Sequence, residues 1–239
     1  MPNLFRNALP FILVICVVMP LQAEIEHADG DASLSTEGEI IASYLTKVET
    51  RLMPRFTFAD VLWPPREVTL VAFKDTRAME MWAKAEDGRW RHIKDYRIKG
   101  MSGRAGPKLR EGDRQVPEGF YRIEALNPNS QFHLSMKLNY PNEFDLVRAL
   151  EDQRENIGSD IFIHGKDVST GCLAMGDNAV EELFVVASLI GTEAVSVIIS
   201  PKDFRFRPFS TLPTDLPDWA YLLSRDIAKR LEQFPLSEK

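Results

Sequence analysis

Between residues 68 and 98 three runs follow one another with only a few polar residues between them: VTLVAFK (68–74), MEMWAKA (79–85) and RWRHIKDYRI (89–98). Asp75 and Thr76 mark the first turn, and Glu86-Asp87-Gly88 marks the second. Short runs bounded by turn residues read as strands. In the first, Val68, Leu70 and Ala72 point to one face while Thr69, Val71 and Phe73 point to the other. That is the pattern of a half-buried strand or of one sandwiched between layers. Further strands are expected near 120–126, 132–140, 160–165 and 194–200.

Helical spacing is confined to the flanks and to two inserts. Ile41, Leu45, Val48 and Leu52 share one face of a helix over 39–53 that Pro54 should end. WPP at 63–65 reads as a rigid extended connector into the core. A helix should begin near Glu143, a second should span 178–190 with Asn178 and Glu181 as a capping pair, and an amphipathic one should span 218–234. The fold class is therefore mainly β with flanking helices, an α+β chain.

The first 23 residues hold one charge, Arg6, then the apolar run Phe11–Val18, then residues up to Ala23. That is the layout of a signal peptide, and the run is too short to span a bilayer. The segment predicts export to the periplasm or cell envelope; membrane contact follows only if it stays uncleaved. Cleavage after Ala23 would remove Cys16 and leave Cys172 as the lone cysteine. Exported cysteines normally pair, so a lone one is a buried inert residue, a link to another chain or a reactive thiol. The remaining chain would carry 28 basic and 35 acidic side chains, which argues against nucleic acid as the main partner.

Cys172 lies eight residues beyond His164 in FIHGKDVSTGCLAMGDN (162–178). His164 ends a short strand on the face opposite Ile161 and Ile163. Gly165 and Gly171 free the backbone to turn, so the chain can fold back and bring sulfur to imidazole. An imidazole beside a thiol can take its proton and release a nucleophilic thiolate. The thiolate would attack a carbonyl carbon and form a thioester. The Gly171 and Cys172 N–H groups could hold the oxyanion, and the Gly165 carbonyl could orient the imidazole. Ser169 would donate to that oxyanion or simply tie the loop. A core histidine and an inert cysteine are the competing reading of the same residues.

The segment IHGKDVSTGCLAM (163–175) resembles the active-site segment of the L,D-transpeptidase catalytic domain family (YkuD-like), and most of all its YafK-like branch. GPKLREGDRQVPEGFYRI (106–123) and NYPNEFD (139–145) also resemble that branch, so the likeness covers about residues 67–206. It divides the chain into a signal peptide (1–23), a polar segment with helix and linker (24–66), the catalytic domain (67–206) and a helical extension (207–239). The resemblance implies a β-rich envelope enzyme with Cys172 as nucleophile, His164 as general base, Gly165 acting through its carbonyl, and Gly171 with Cys172 through their N–H groups. It implies no cofactor. Two positions depart from the family pattern: Thr170 stands where a second histidine is usual, and Ala174 where an asparagine is.

The implied substrates are peptidoglycan stem peptides. The implied reaction is acyl transfer through a thioester that either an amine or water resolves. The first outcome cross-links the wall; the second cleaves cross-links or releases a wall-linked lipoprotein. Six cations against two acids lie in 97–114, and Arg104 and Lys108 are the candidates to clamp a stem carboxylate. Two rivals differ in kind. A zinc peptidase would need His27, His92, His133 and His164 at ligand spacing, which they lack. A non-catalytic wall-binding protein would have no use for a free thiol.

Overall fold

The computed structural model describes residues 31–235. The segment read as a signal peptide lies outside them. Eight strands form one sheet in the order β3-β2-β1-β8-β4-β5-β6-β7. β1 (Val68–Phe73), β2 (Ala78–Lys84) and β3 (Trp90–Arg97) make an antiparallel meander, and β1 also pairs in parallel with β8 (Val195–Ser200). β4 (Gly119–Asn127) joins the two halves of the sheet: Gly119–Arg122 pair with β8, and the residues from Ile123 pair with β5 (Ser135–Leu138). A register shift between Ile123 and Ala125 marks the bend, the ordinary effect of a bulge. β6 (Phe162–His164) and β7 (Leu173–Ala174) complete the far edge.

β1 is buried at all six positions. Val68, Leu70 and Ala72 join the main core beneath the helices α1 (Asp31–Phe58) and α3 (Asp177–Ile190). Val71 and Phe73 meet Leu223, Ile227 and Leu231 of α4 (Asp218–Leu231) on the opposite face. Of the two expectations the strand is thus the sandwiched one, covered by helices on both sides.

Three local expectations are corrected. α1 begins at Asp31 and runs through Pro54 to Phe58. An interior proline costs about 3 kcal/mol. Val48, Leu52 and Phe56 are each fully buried on one face of this helix, and each contributes about 1.5–3 kcal/mol. Their burial outweighs the proline. The Trp63–Pro64 bond, within the expected extended connector, is cis.

α3 has Gly176 at its N-cap and no side-chain cap. Glu181 faces α1 instead, where Lys47 (2.9 Å) and Arg51 (3.1 Å) pair with it. His133 reaches the same carboxylate at 3.1 Å. Burial alone would raise the Glu181 pKa, but hydrogen bonds from Lys47, His133 and Arg51 hold it below its ordinary value. The carboxylate is thereby committed to docking α1 and is not available for the first turn of α3.

α2 (Glu143–Glu151) begins where expected. Asn142 and Asp145 exchange side-chain-to-backbone hydrogen bonds in a full capping box.

Candidate active site

His164 ends β6, and Cys172 immediately precedes the neighbouring strand β7. Parallel neighbours normally need a crossover of a dozen or more residues. β6 and β7 are parallel, and only residues 165–172 connect them. So short a return demands unusual backbone, and Lys166 (φ 60°) and Gly171 (φ 85°) are both left-handed. Asp177 secures the turn by accepting from the Lys166 backbone N–H (2.8 Å) and its ammonium (3.1 Å). Gly165 is needed for a different reason from the one expected. Its φ is ordinary, but an added Cβ would lie 2.5 Å from the Phe132 carbonyl oxygen and 2.8 Å from Asp177 Oδ1. Space, not conformation, excludes a side chain there.

The register Ile163↔Leu173 and His164↔Ala174 sets Cys172 beside Phe162, on the same face of the sheet as His164. With strands about 4.8 Å apart and a rise of about 3.3 Å per residue, the two Cα atoms are about 8 Å apart. His164 is buried and Cys172 is partly exposed.

The imidazole has one orientation. Its Nδ1 lies 2.6 Å from the carbonyl oxygen of Gly165. A carbonyl can only accept, so Nδ1 carries the proton and Nε2 is left as the base. Phe132, half-exposed, lies against the ring with centroids 4.6 Å apart. Burial holds the imidazole below its ordinary pKa of 6.5, partly opposed by the Gly165 carbonyl.

The sulfur sits among backbone groups rather than hydrocarbon. The Phe162 N–H donates to Sγ (3.4 Å), and the thiol faces the Asp160 carbonyl at 3.8 Å. Burial raises the thiol above its ordinary 9.0, while the Phe162 N–H and the Lys108 ammonium pull it down. Both shifts favour the neutral forms, an uncharged thiol and an uncharged imidazole.

The two amides expected to hold an oxyanion already have acceptors. The Cys172 N–H donates to Ser169 Oγ (3.1 Å), and the Gly171 N–H donates to Ser102 Oγ (2.8 Å). Ser169 therefore ties the loop, and each hydroxyl stands where an acceptor oxygen would.

Arg104 and Lys108 are both engaged. Arg104 is exposed and pairs with Asp215 at 2.6 Å, bidentately. Lys108 is buried and held by Asp113 (2.8 Å) and the Arg110 carbonyl (3.0 Å). Lys108 acts on the site from behind, as a nearby positive charge.

Sequence reasoning did not single out Ser102, Phe132, Asp160 or Asp177. Gly100 was also passed over, although a Cβ there would lie 2.3 Å from the Asp167 carbonyl oxygen in the returning loop. The glycine-rich stretch 99–119 was the one available signal for Gly100 and Ser102. Among the described residues no group of three or more His, Cys, Asp or Glu side chains is gathered for a metal. Nor is any described helix long and apolar enough to cross a membrane.

Residues 69–199 match the family model described as YkuD, the L,D-transpeptidase catalytic domain. YafK of Escherichia coli (strain K12), named as an L,D-transpeptidase by assignment, is 33% identical over 139 residues. The match covers 56% of this chain and 54% of YafK, so the chain spans about half the length of that relative. Among solved structures, the K307A mutant of the helical cell shape determining protein Pgp2 from Campylobacter jejuni aligns at a TM-score of 0.45 with 20% identity, over 74% of this chain and 60% of that one. L,D-transpeptidase 1 of Mycobacterium tuberculosis aligns at 0.31 with 11% identity, over 56% and 61%.

Proposed function

Because the chain belongs to the YkuD family of L,D-transpeptidase catalytic domains, we propose that it is a cell-envelope enzyme acting on peptidoglycan stem peptides, with Cys172 as nucleophile. His164 Nε2 takes the thiol proton as Sγ attacks the carbonyl carbon of a stem peptide bond. The tetrahedral oxyanion is met by the Gly171 and Cys172 N–H groups once the Ser102 and Ser169 hydroxyls give way. Collapse breaks the C–N bond. The leaving amine takes the proton back from Nε2 and the acyl group stays on sulfur as a thioester. An amine or water then attacks the thioester, loses a proton to Nε2 and restores the thiol. An amine gives a cross-link or an exchanged stem; water gives a shortened stem.

The observation that carries this reading is the 2.6 Å contact between His164 Nδ1 and the Gly165 carbonyl, which leaves the other nitrogen as a base on the sheet face that also carries a partly exposed thiol. A neutral resting pair suits this chemistry, since proton transfer is then coupled to attack and the free thiol stays protected from oxidation.

The test is incubation of the protein and its Cys172→Ala variant with stem tetrapeptides, followed by mass spectrometry. A thioester adduct on Cys172, with products absent from the variant, is expected; turnover by the variant would overturn the reading. Cross-linked or exchanged products identify a transpeptidase, and shortened stems a hydrolase.

A further inference from the structure

A groove of about 640 Å³ opens on the outer face of β4 and β5 beside the start of α2. Arg122, Lys137, Asn139, Asn142, Glu143 and Ser159 are among the residues lining it. Sequence and strand register place it near the cysteine. Ser159 precedes Asp160, whose carbonyl faces Sγ. Lys137 is the cross-strand neighbour of Phe162, and Phe162 lies beside Cys172. Outward side chains therefore run Cys172, Phe162, Lys137 across three strands, and Arg122 lies one strand further on, opposite Asn139 and two residues along from Lys137.

The two cations of the groove differ. Lys137 is shared between Glu124 and Asp160, each at 3.3 Å. Arg122 is exposed, and among the described residues its guanidinium has no carboxylate partner and no hydrogen-bond acceptor. Arg104 and Lys108, by contrast, are already bound within the protein. A free planar fork of donors in a groove is matched by a carboxylate. Glu124 and Glu143 make the groove mixed in charge, which admits a peptide bearing both a carboxylate and an amine and disfavours a polyanion.

We propose that this groove binds the carboxylate-bearing arm of the acyl-donor peptide, with Arg122 as the residue that clamps the carboxylate. Three strand spacings of about 4.8 Å and two residues of rise set the Arg122 Cα about 16 Å from that of Cys172. That span runs from Cα to Cα, and the extended arginine side chain covers part of it. About two to three extended residues cover the rest, so the clamped carboxylate belongs to the same peptide as the reacting carbonyl. Arg122 sets which peptides are acylated and does not touch the reacting atoms.

This inference rests on the acyl-transfer reading for its substrate, but its test does not need turnover. Binding of a stem tetrapeptide to the full chain carrying Cys172→Ala is measured by calorimetry, with the peptide carboxylates either free or amidated. The free acid should bind at least tenfold more tightly than the amide. Adding Arg122→Ala should abolish that difference, and Arg122→Lys should restore part of it. Arg89→Ala, which removes an exposed cation in the β2–β3 turn at the opposite end of the strand order, should leave the difference intact. A melting curve for each variant excludes unfolding, which Arg122 gives no reason to expect, since its side chain holds nothing in place. Equal binding of acid and amide by the parent, or an unchanged preference in Arg122→Ala, would overturn the inference. In the Cys172-intact protein, Arg122→Ala should raise KM for acylation with kcat nearly unchanged. Arg122-dependent binding without any adduct on Cys172 would instead sink acyl transfer and leave the groove standing.

Discussion

The two edges of the sheet are built differently. At the β1–β3 and β8 end the strands run six to eight residues, β1 is buried throughout, and helices cover both faces of its central strands. At the other end β6 has three residues and β7 has two. Three left-handed residues other than glycine, His133, Asp160 and Lys166, lie at this end, against Arg77 in the β1–β2 turn of the other. The first region is held mainly by apolar area. The second is held by single hydrogen bonds to loop amides and carbonyls, which fix atoms in place without contributing much area. Strained backbone of this kind persists only where its surroundings over-determine it. The long-stranded half supplies that rigidity, and the short-stranded half uses it to aim an imidazole and a thiol.

The sharpest way to break this contrast is to cut one region and read the other. Cys172→Ala should lower acyl transfer by at least about a thousandfold, as loss of a covalent nucleophile does, with the melting temperature nearly unchanged. Phe184→Ala, in the main core, should do the reverse and cost about 3–5 kcal/mol in denaturant unfolding, with residual folded protein fully active. A thermal loss in the first variant, or inactive folded protein in the second, would merge the two regions.

Lys74 and Glu118 tie one region to the other. The Lys74 ammonium is buried, 3.0 Å from Glu118 and 2.7 Å from the carbonyls of Gly106 and Val116 in the long loop. Burial pulls its pKa down, and the Glu118 charge opposes this. Glu118→Ala should therefore cost about 3–5 kcal/mol by stranding a buried cation. Replacing both residues with apolar side chains should recover much of that, checked by denaturant melts of the single and double variants.

Gly165→Ala tests the short-stranded edge by itself. The new methyl would press on the Phe132 carbonyl and Asp177. A stability loss of about 1–3 kcal/mol is expected from overpacking, with roughly a hundredfold loss of kcat/KM from a misplaced imidazole. Normal turnover in this variant would mean that the imidazole is not held from this side.

The smallest effect is the pH response. Since burial holds His164 below its ordinary value, the folded protein prefers the neutral ring. That contribution to stability is present above pH 6.5 and is lost as pH falls through the lower folded value. The acid limb of kcat/KM should lie below pH 6.5, and the rate of thiol alkylation of the free protein should still be climbing at pH 9.0, since burial raises the thiol. An alkylation rate already maximal at neutral pH would indicate a preformed ion pair instead.

The sequence by itself determined every strand but β7, the apolar character of β1, the start of α2, and the choice of His164, Gly165, Gly171 and Cys172 as the residues to watch. Those are local properties: alternation, turn chemistry and the rarity of a cysteine can be read within a window of ten or twenty residues. Only the tertiary structure decided the rest. It carried α1 past Pro54 because Phe56 had a core to enter. It turned Glu181 from a cap into an anchor because Lys47 and Arg51 stood opposite. It bound Arg104 and Lys108 within the protein and left Arg122 free, and it occupied the two loop amides with Ser102 and Ser169. Most of these depend on which groups meet across long stretches of chain, as Lys47 with Glu181 and Arg104 with Asp215 do, and a burial energy or an ion pair has no value until both partners are in place.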